Sequence, residues 1–383
     1  MERSKRLAQE CNQKVVESCK AVYYESWKLG KEHDNSDVGI VLSGGVDTCA
    51  VMAALKQSGE NILPTIAFTV YASPNATDRK YAPYLAKQYN LKHVEIDIDA
   101  SVLLEEPLEL CVKELGTFDG MQLRNSAVVA CALLKAKEFG VKYLYTGDAS
   151  DELLGGYSFS WGSDDPEWSQ KRAEMCSEWM FSAPTLGEAC GIQAESPYCN
   201  EIFKNWALSS TTKDDCVGIR MIQADPTSAK ESRKTGKMVL RDAFPEAFSA
   251  YRRKDPIEIG SGSTILGSAE AEYFIALYMK AKGIDEKQKA LNQIKEEIRT
   301  IEETDEVEIR NAEHLFYYQT FVKIFPRETW KTPNRATEST VLPTRLRKGD
   351  ANACIKCSFE LYNSTCLFCR TCGAWPARKT VQA

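Results

Sequence analysis

The chain has 383 residues, 43% hydrophobic and 27% charged, which is room for two domains with a substantial core and too apolar for a disordered protein. Lys and Arg number 48 against 54 Asp and Glu, and the net charge of -6 argues against tight, sequence-independent binding to nucleic acid. The N-terminal MERSKRLAQECNQK lacks an apolar signal core and no apolar run reaches spanning length, so a cytoplasmic protein with no membrane partner is expected.

Residues 1 to 33 read as a helix carrying Val15, Val16, Cys19, Val22 and Tyr23, within an N-terminal segment 1–36. Val38, Ile40, Val41 and Leu42 then form a short apolar run that ends in Ser43-Gly44-Gly45-Val46-Asp47-Thr48. Helical spacing resumes from Val46 to Leu55, so Gly44 and Gly45 lie at a strand-to-helix turn whose outward N–H groups make a phosphate cradle. Ser43 and Thr48 add hydroxyl donors, and Asp47 places a carboxylate where Mg2+ bridging phosphate oxygens would sit. The Lys of a Walker loop is missing. The competing reading is an ordinary glycine turn.

A β-rich run from Asn61 to Val70, a helix from about Thr77 to Tyr89 and a strand from His93 to Ile98 follow. Helices are expected over Glu105 to Leu115 and Gln122 to Phe139, then a strand from Val141 to Thr146 that ends in Gly147-Asp148. This alternation predicts an α/β fold with a doubly wound, Rossmann-type parallel sheet whose ligand site lies beyond the C-terminal ends of the strands.

The pattern Ser-Gly-Gly-x-Asp-Thr resembles the pyrophosphate loop of the N-type ATP pyrophosphatases, which split ATP between the α and β phosphates. Thr146 to Tyr157 reads Thr-Gly-Asp-Ala-Ser-Asp-Glu-Leu-Leu-Gly-Gly-Tyr, and with it residues 38 to about 330 resemble the synthetase domain of glutamine-dependent asparagine synthetases and their relative β-lactam synthetase. Further segments carry the likeness: Thr117-Phe118-Asp119 with Arg124-Asn125-Ser126, Gly191 to Tyr198, Lys237 to Phe244, Arg253-Lys254 with Gly260-Ser261-Gly262, and Glu313 to Pro326.

The resemblance implies a synthetase domain over 37–330, with a nucleotide core over about 37–160 of the adenine nucleotide α-hydrolase type and a helical substrate part over about 161–330. It implies ATP and Mg2+ as cofactors, with nucleotide contacts from Leu42, Ser43, Gly44, Gly45, Asp47, Thr48, Val70, Thr146, Gly147 and Asp151. The chemistry wants the same residue types: Asp47 and Asp151 to hold Mg2+ against departing phosphates, and Lys254 for the charge that develops in the transition state. Asp148 and Tyr157 are candidates for proton handling or for orienting an amine. Read blandly, Asp148 to Glu152 is an acidic cluster satisfying a helix dipole and Tyr157 a packed core aromatic. With three histidines, none beside a motif, a histidine base is not expected.

The sequence departs from the family pattern in four places. A glutaminase domain is not expected, because residue 2 is Glu2 rather than a cysteine nucleophile and the pyrophosphate loop comes early. Gln193 and Glu195 stand where the family has Glu and Arg, and Ala149 replaces a glycine, which puts aspartate in doubt as substrate. The acidic, Trp-rich stretch Trp161 to Trp179 matches no motif. The fourth departure is a tail, within a linker-and-tail segment 331–383, that carries Cys354, Cys357, Cys366, Cys369 and Cys372.

Nine other cysteines between Cys11 and Cys216 read as reduced, mostly buried thiols, whereas the tail density predicts a structural, tetrahedral zinc site. The spacing from Cys357 through Cys372 resembles the C-terminal zinc site of 7-cyano-7-deazaguanine synthase, which implies Cys357, Cys366, Cys369 and Cys372 as ligands and Cys354 as a spare thiol. Two C-x2-C pairs that use Cys354 and leave Cys372 free, and an unmetallated redox-active tail, remain the alternatives.

The expectation is an ATP-dependent, AMP-forming ligase that adenylates a carboxylate and lets ammonia or a substrate amine attack. A 7-deazaguanine-type or nucleobase modification enzyme is the second reading, and a non-catalytic zinc-binding interaction protein the third. The partners expected are a small-molecule carboxylate and an amine or ammonia; a protein that supplies nitrogen or substrate, and a homodimer, are compatible with the sequence.

Overall fold

The computed structural model describes residues 2–27, 37–59, 62–268, 270–330 and 344–378. The chain divides into two compact units, one of residues 1–98 and 132–262, the other of residues 99–131 and 263–383.

The first unit is built on a five-stranded, wholly parallel sheet: β1 (Val38–Val41), β2 (Ile66–Tyr71), β3 (Lys92–Asp97), β4 (Tyr143–Tyr145) and β5 (Gln193–Glu195), in the order β3-β2-β1-β4-β5. Ile40, Ala67, Phe68, Leu144 and Tyr145 are fully buried, as the continuous apolar runs of a sheet covered on both faces require. Helix Val46–Ser58 is apolar nearly all round, with every residue from Thr48 to Leu55 buried, and it ends on left-handed Gly59. The long helix Glu2–Trp27 packs on it through Cys11, Val15, Cys19 and Val22, which share one buried core with Val51 and Leu55.

The parallel α/β reading therefore holds, with three local differences. Strand β2 starts at Ile66, after Pro64, which has no N–H to give to a ladder; Asn61, where the expected run began, lies outside the described residues. The segment after it is a 3-10 turn, Thr77–Lys80, then an α-helix, Ala82–Gln88, opened by Pro83 in its first turn. Strand β5 emerges from what the sequence showed only as a motif, and pairs Gln193, Ala194 and Glu195 with Tyr143, Leu144 and Tyr145. The end of the expected first helix, residues 28–33, lies outside the described residues.

The Trp-rich stretch becomes helix Asp165–Glu178, N-capped by Asp164, whose Oδ1 accepts from the Glu167 N–H at 2.9 Å. Its inner side carries Trp168 and Arg172, both 2% exposed. The Arg172 guanidinium stacks on the Trp168 ring at 4.4 Å and donates to the carbonyls of Leu153, Ala207, Leu208 and Thr211 and to the Thr211 hydroxyl, at 2.8–3.3 Å. One side chain thus satisfies the C-terminal carbonyls of helix Glu201–Ser210. After it, an antiparallel hairpin, β6 (Gly218–Ile222) with β7 (Glu231–Thr235), leads into helix Met238–Ala243.

The second unit is helical, with helices Glu106–Leu115, Glu272–Lys282, Lys287–Asp305 and Ala312–Ile324. Phe118, Phe321, Trp330 and Phe359 meet edge to face or tilted at its centre, with centroids 5.1–6.5 Å apart. The cysteine tail belongs to this unit. Phe118 N–H donates to Thr371 O at 2.8 Å and the Thr117 hydroxyl to Arg370 O at 2.8 Å. Among the described residues no helix is long and apolar enough to cross a membrane.

Arg172→Leu should destabilise the protein by about 3 kcal/mol, because it strands several buried carbonyls at about 1–3 kcal/mol each. A thermal unfolding midpoint equal to the parent's would show that those carbonyls have other partners.

Candidate active site

The glycine loop after β1, the Gly147–Asp151 segment after β4 and the segments that carry Lys237 and Lys254 meet at the C-terminal ends of β1 and β4. Leu42 is held by Thr69, whose hydroxyl donates to its carbonyl at 2.6 Å. Gly44 then turns the chain at φ +72°, and a Cβ there would stand 2.5 Å from Tyr81 Cβ and 2.8 Å from Arg252 Nη1. Only glycine fits. Gly45 caps helix Val46–Ser58 without a side-chain bond, so the first-turn amides of a thirteen-residue helix are free for an anion. Thr48 Oγ1 is buried and has no hydrogen-bond partner, an orphan that a phosphate oxygen or its counter-ion would satisfy. Gly147 lets the β4 loop approach the cradle, since a Cβ there would lie 3.0 Å from Asp47 Cβ and 3.1 Å from Thr48 Cγ2.

Asp47 and Asp151 are brought together, and a residue not singled out from sequence joins them. Lys237, 1% exposed, places its Nζ 2.7 and 2.6 Å from the two carboxylate oxygens of Asp47 and 2.8 Å from Asp151 Oδ1. Lys254 binds the other oxygen of Asp151 at 2.6 Å, and the Ser150 hydroxyl donates to Asp47 at 2.8 Å. Burial by itself would raise the Asp151 pKa, but the ammonium groups of Lys237 and Lys254 outweigh it and hold the group well below its usual value. Burial alone would lower that of Lys254; Asp151 and Asp47 carry it above the usual range.

The backbone is bent to achieve this. Ala149, where the related pattern has glycine, adopts φ +74°, and Lys237 adopts φ +61°. Left-handed non-glycine residues cost of order 1–3 kcal/mol and cluster at functional sites. Gly156 and Gly236 make room as well, since Cβ atoms there would overlap Asp151 Oδ1 and Gly155 O. Arg252, also missed, is 3% exposed; it donates to Ser43 O at 2.8 Å and pairs with Asp78 at 2.7 Å. The signals were present as the Lys opening the Lys237–Phe244 motif and the Arg just ahead of Arg253-Lys254, but nothing local says where they point.

Asp148 lies apart from the lysines. It accepts from Thr146 Oγ1 at 2.8 Å, and burial pushes its pKa up to about 6. Tyr157 does not reach Lys254; its hydroxyl donates to Glu152 Oε1 at 2.7 Å, and burial raises the pKa of both. Gln193 and Glu195, the altered positions, bond each other at 2.6 Å. Val70 lies within β2, paired with Ile96.

In the second unit the thiols that converge are Cys354, Cys357, Cys369 and Cys372, all buried and within 4.8 Å of one another. The expected set is corrected by one residue. Cys366 is turned away, with its Sγ on Phe368 O at 3.0 Å, and Cys354 takes its place. The reason is that each ligand pair comes from one tight C-x2-C turn, 354–357 and 369–372, whereas Cys366 precedes the second turn. The Cys354–Cys372 and Cys357–Cys369 sulfur separations are 3.8 and 3.7 Å. A tetrahedron with zinc–sulfur bonds of about 2.3 Å has edges of about 3.8 Å. Four thiolates of that geometry fit zinc.

Residues 33–211 match the protein-family model described as asparagine synthase. Similar proteins include asparagine synthetase B (glutamine-hydrolyzing) of Escherichia coli K12, 23% identical over 252 residues that make 61% of this chain and 43% of that protein. Asparagine synthetase (glutamine-hydrolyzing) 2 of Arabidopsis thaliana is 26% identical over 251 residues, 58% of this chain and 40% of its own. The counterpart numbered 2 in Oryza sativa subsp. japonica is 27% identical over 238 residues, 56% and 36%. The matched region spans less than half the length of these relatives.

Lys237→Met should lower stability by about 3 kcal/mol, the scale for breaking a buried ion pair and leaving its partners charged. Combined with Asp47→Asn, the loss should be smaller than the sum of the two single changes by at least about 1 kcal/mol. Additive losses in denaturant titrations would mean that the two groups do not interact.

Proposed function

From the match of residues 33–211 to the asparagine synthase family model we propose that the chain is an ATP-dependent, AMP-forming carbon–nitrogen ligase. In this reading ATP adenylates a substrate carboxylate with loss of pyrophosphate, and ammonia or a substrate amine then attacks the acyl-adenylate. The observation that carries it is the meeting of Asp47, Asp151, Lys237 and Lys254 beside a free helix N-terminus and the orphan hydroxyl of Thr48.

Ser43, Gly44, Gly45 and Thr48 would cradle the phosphates with backbone and hydroxyl donors. Lys254, tethered by one carboxylate at a side chain 32% exposed, can swing its charge toward the reacting phosphate, whereas Lys237 is fixed and keeps the two carboxylates together. The donor set suits Mg2+ in kind, with Asp47 and Asp151 as hard oxygen ligands. When bound it would neutralise phosphate charge. Asp148, with a pKa near 6, is ionised at neutral pH and close enough to its transition to take a proton from an incoming amine.

The alternative of a 7-deazaguanine-type substrate rested on a spacing that includes Cys366, which the gathered thiols leave out, so the amide-ligase reading is preferred. None of the fourteen cysteines forms a disulfide, which fits a reducing compartment such as the cytoplasm. A small carboxylate and an amine or ammonia remain the proposed partners.

Incubation with ATP, Mg2+ and a panel of carboxylates, each with and without ammonium, should yield AMP and pyrophosphate. ADP as the nucleotide product would sink the proposal. Lys254→Ala should lower kcat by about 100-fold, some 2.7 kcal/mol, with little change in the affinity for ATP; a rise in KM alone would reduce Lys254 to a binding role.

For the tail we propose one structural zinc on Cys354, Cys357, Cys369 and Cys372. Metal analysis of the purified chain should find about one zinc per chain, retained in Cys366→Ser and lost in Cys354→Ser. The reverse pattern would restore the spacing-based set, and absence of zinc from the parent protein would refute the site.

A further inference from the structure

The helix that matched no motif builds one wall of a cavity. Its inner side is the Trp168 and Arg172 anchor; Met175, one turn further on, faces a hollow of about 420 Å3 that Phe159, Trp179, Met180 and Phe181 also line, with Glu152 on the remaining side. All of these residues lie within the first unit. Phe159 is 74% exposed and Met180 45%. Large apolar side chains left this open beside candidate catalytic groups are costly unless a ligand covers them. Phe159 is also held in place, its ring stacked on that of Tyr157 at 5.4 Å and 14°.

The charge of the cavity is as specific as its shape. Glu152 has a neutral partner, the Tyr157 hydroxyl at 2.7 Å, and the lysines of the site are engaged elsewhere, Lys237 with Asp47 and Asp151 and Lys254 with Asp151. At the rim, Lys171 is paired with Glu167 at 2.7 Å, and Glu174 lines the same hollow. A half-buried carboxylate faced by apolar walls and without a cation of its own favours a cationic ligand with an apolar body.

We propose that this cavity receives the acceptor amine and that the amine is a hydrophobic primary amine, alkyl or aryl, with its ammonium against Glu152 and its body on Phe159, Met175, Trp179 and Met180. This rests on the amide-ligase reading and names its nitrogen substrate. The ammonium gives up one proton, and the freed nitrogen pair forms the C–N bond to the acyl carbon. The bond from that carbon to the phosphate oxygen breaks with its electron pair leaving on AMP, and the second proton on nitrogen passes to solvent as the amide forms. Both protons end in solvent, so each turnover releases two protons from the ammonium. The chain thereby gains a use for Trp161 to Trp179: the helix is a specificity wall fastened to the core through Arg172.

Isothermal titration of the full chain without ATP tests the cavity separately from the chemistry. 2-Phenylethylamine should bind, 3-phenylpropionate of the same size should bind at least about tenfold more weakly, and ammonium alone should give no saturable heat. Glu152→Gln should weaken the amine by about tenfold, equivalent to about 1.4 kcal/mol. Phe159→Ser and Met180→Ser, at exposed positions where the fold tolerates change, should each weaken it as well. Equal binding of amine and carboxylate, no binding of the amine, or unchanged binding in the Phe159 and Met180 variants would overturn the assignment. If the amine binds but ATP is never converted to AMP, the ligase reading fails and the cavity stands; if AMP forms but no amine binds, the cavity fails alone.

Discussion

Two carboxylates from different segments, Asp47 at the start of the helix after β1 and Asp151 in the short helix Ser150–Leu154 after β4, are held within reach of one ammonium. In water such a pair would lose little by separating. At side chains only 16% exposed, repulsion between them is far less screened, so Lys237 is what allows the strand ends to close upon each other. Much of the surrounding backbone follows from this demand. Lys237 accepts a left-handed conformation to project between the acids, Gly147, Gly156 and Gly236 remove the atoms that would prevent the approach, and Arg252 ties the glycine loop to the segment that carries Lys254.

The strand–loop–helix unit from Val38 to Ser58 was legible because its signals are local: an apolar run, two glycines and an apolar helix stand within about twenty residues. That β1 to β4 run parallel was legible for the same reason, repeated; their order in the sheet was not read. Lys237 and Arg252 were not, since their roles depend on an approach across some 190 and 209 positions of chain, and a lysine before Met-Val-Leu-Arg looks like any helix start. Strand β5 is three residues long and carries Gln and Glu, too short and too polar to announce itself. Tyr157 was read as a candidate for proton handling or for orienting an amine, but nothing local in Gly-Gly-Tyr says that its hydroxyl turns back to Glu152, five residues earlier.

The tail shows a different limit of the same kind. A list of cysteine intervals constrains which sulfurs can meet but not which way each turn faces. The two C-x2-C turns present both their thiols to one point, while Cys366, although 4% exposed, is spent on a backbone carbonyl. The folding of the segment explains the choice: Cys354 N–H bonds Phe359 O and Cys369 N–H bonds Ala374 O, each closing a loop around its own pair. Those loops are tied to Thr117 and Phe118, the segment matched only as a motif, so the tail completes the core of its unit and is not a free appendage.

The polarity of the crevice in the first unit supplies the last step. Lys237, Lys254 and Arg252 are directed at the glycine loop or at the acids beside it, whereas Asp148 accepts from the Thr146 hydroxyl and Glu152 from that of Tyr157. A reaction that separates a departing polyanion from an arriving cation needs this division: positive charge where pyrophosphate leaves, negative charge where an amine enters and gives up protons. In the proposed ligase reading the two acids with raised pKa values would fall on the amine side, and the acid with a lowered one on the phosphate side. Burial acts on all three; the lysines decide the difference, and so the same motif, Asp148 to Glu152, serves two opposite electrostatic tasks over five residues.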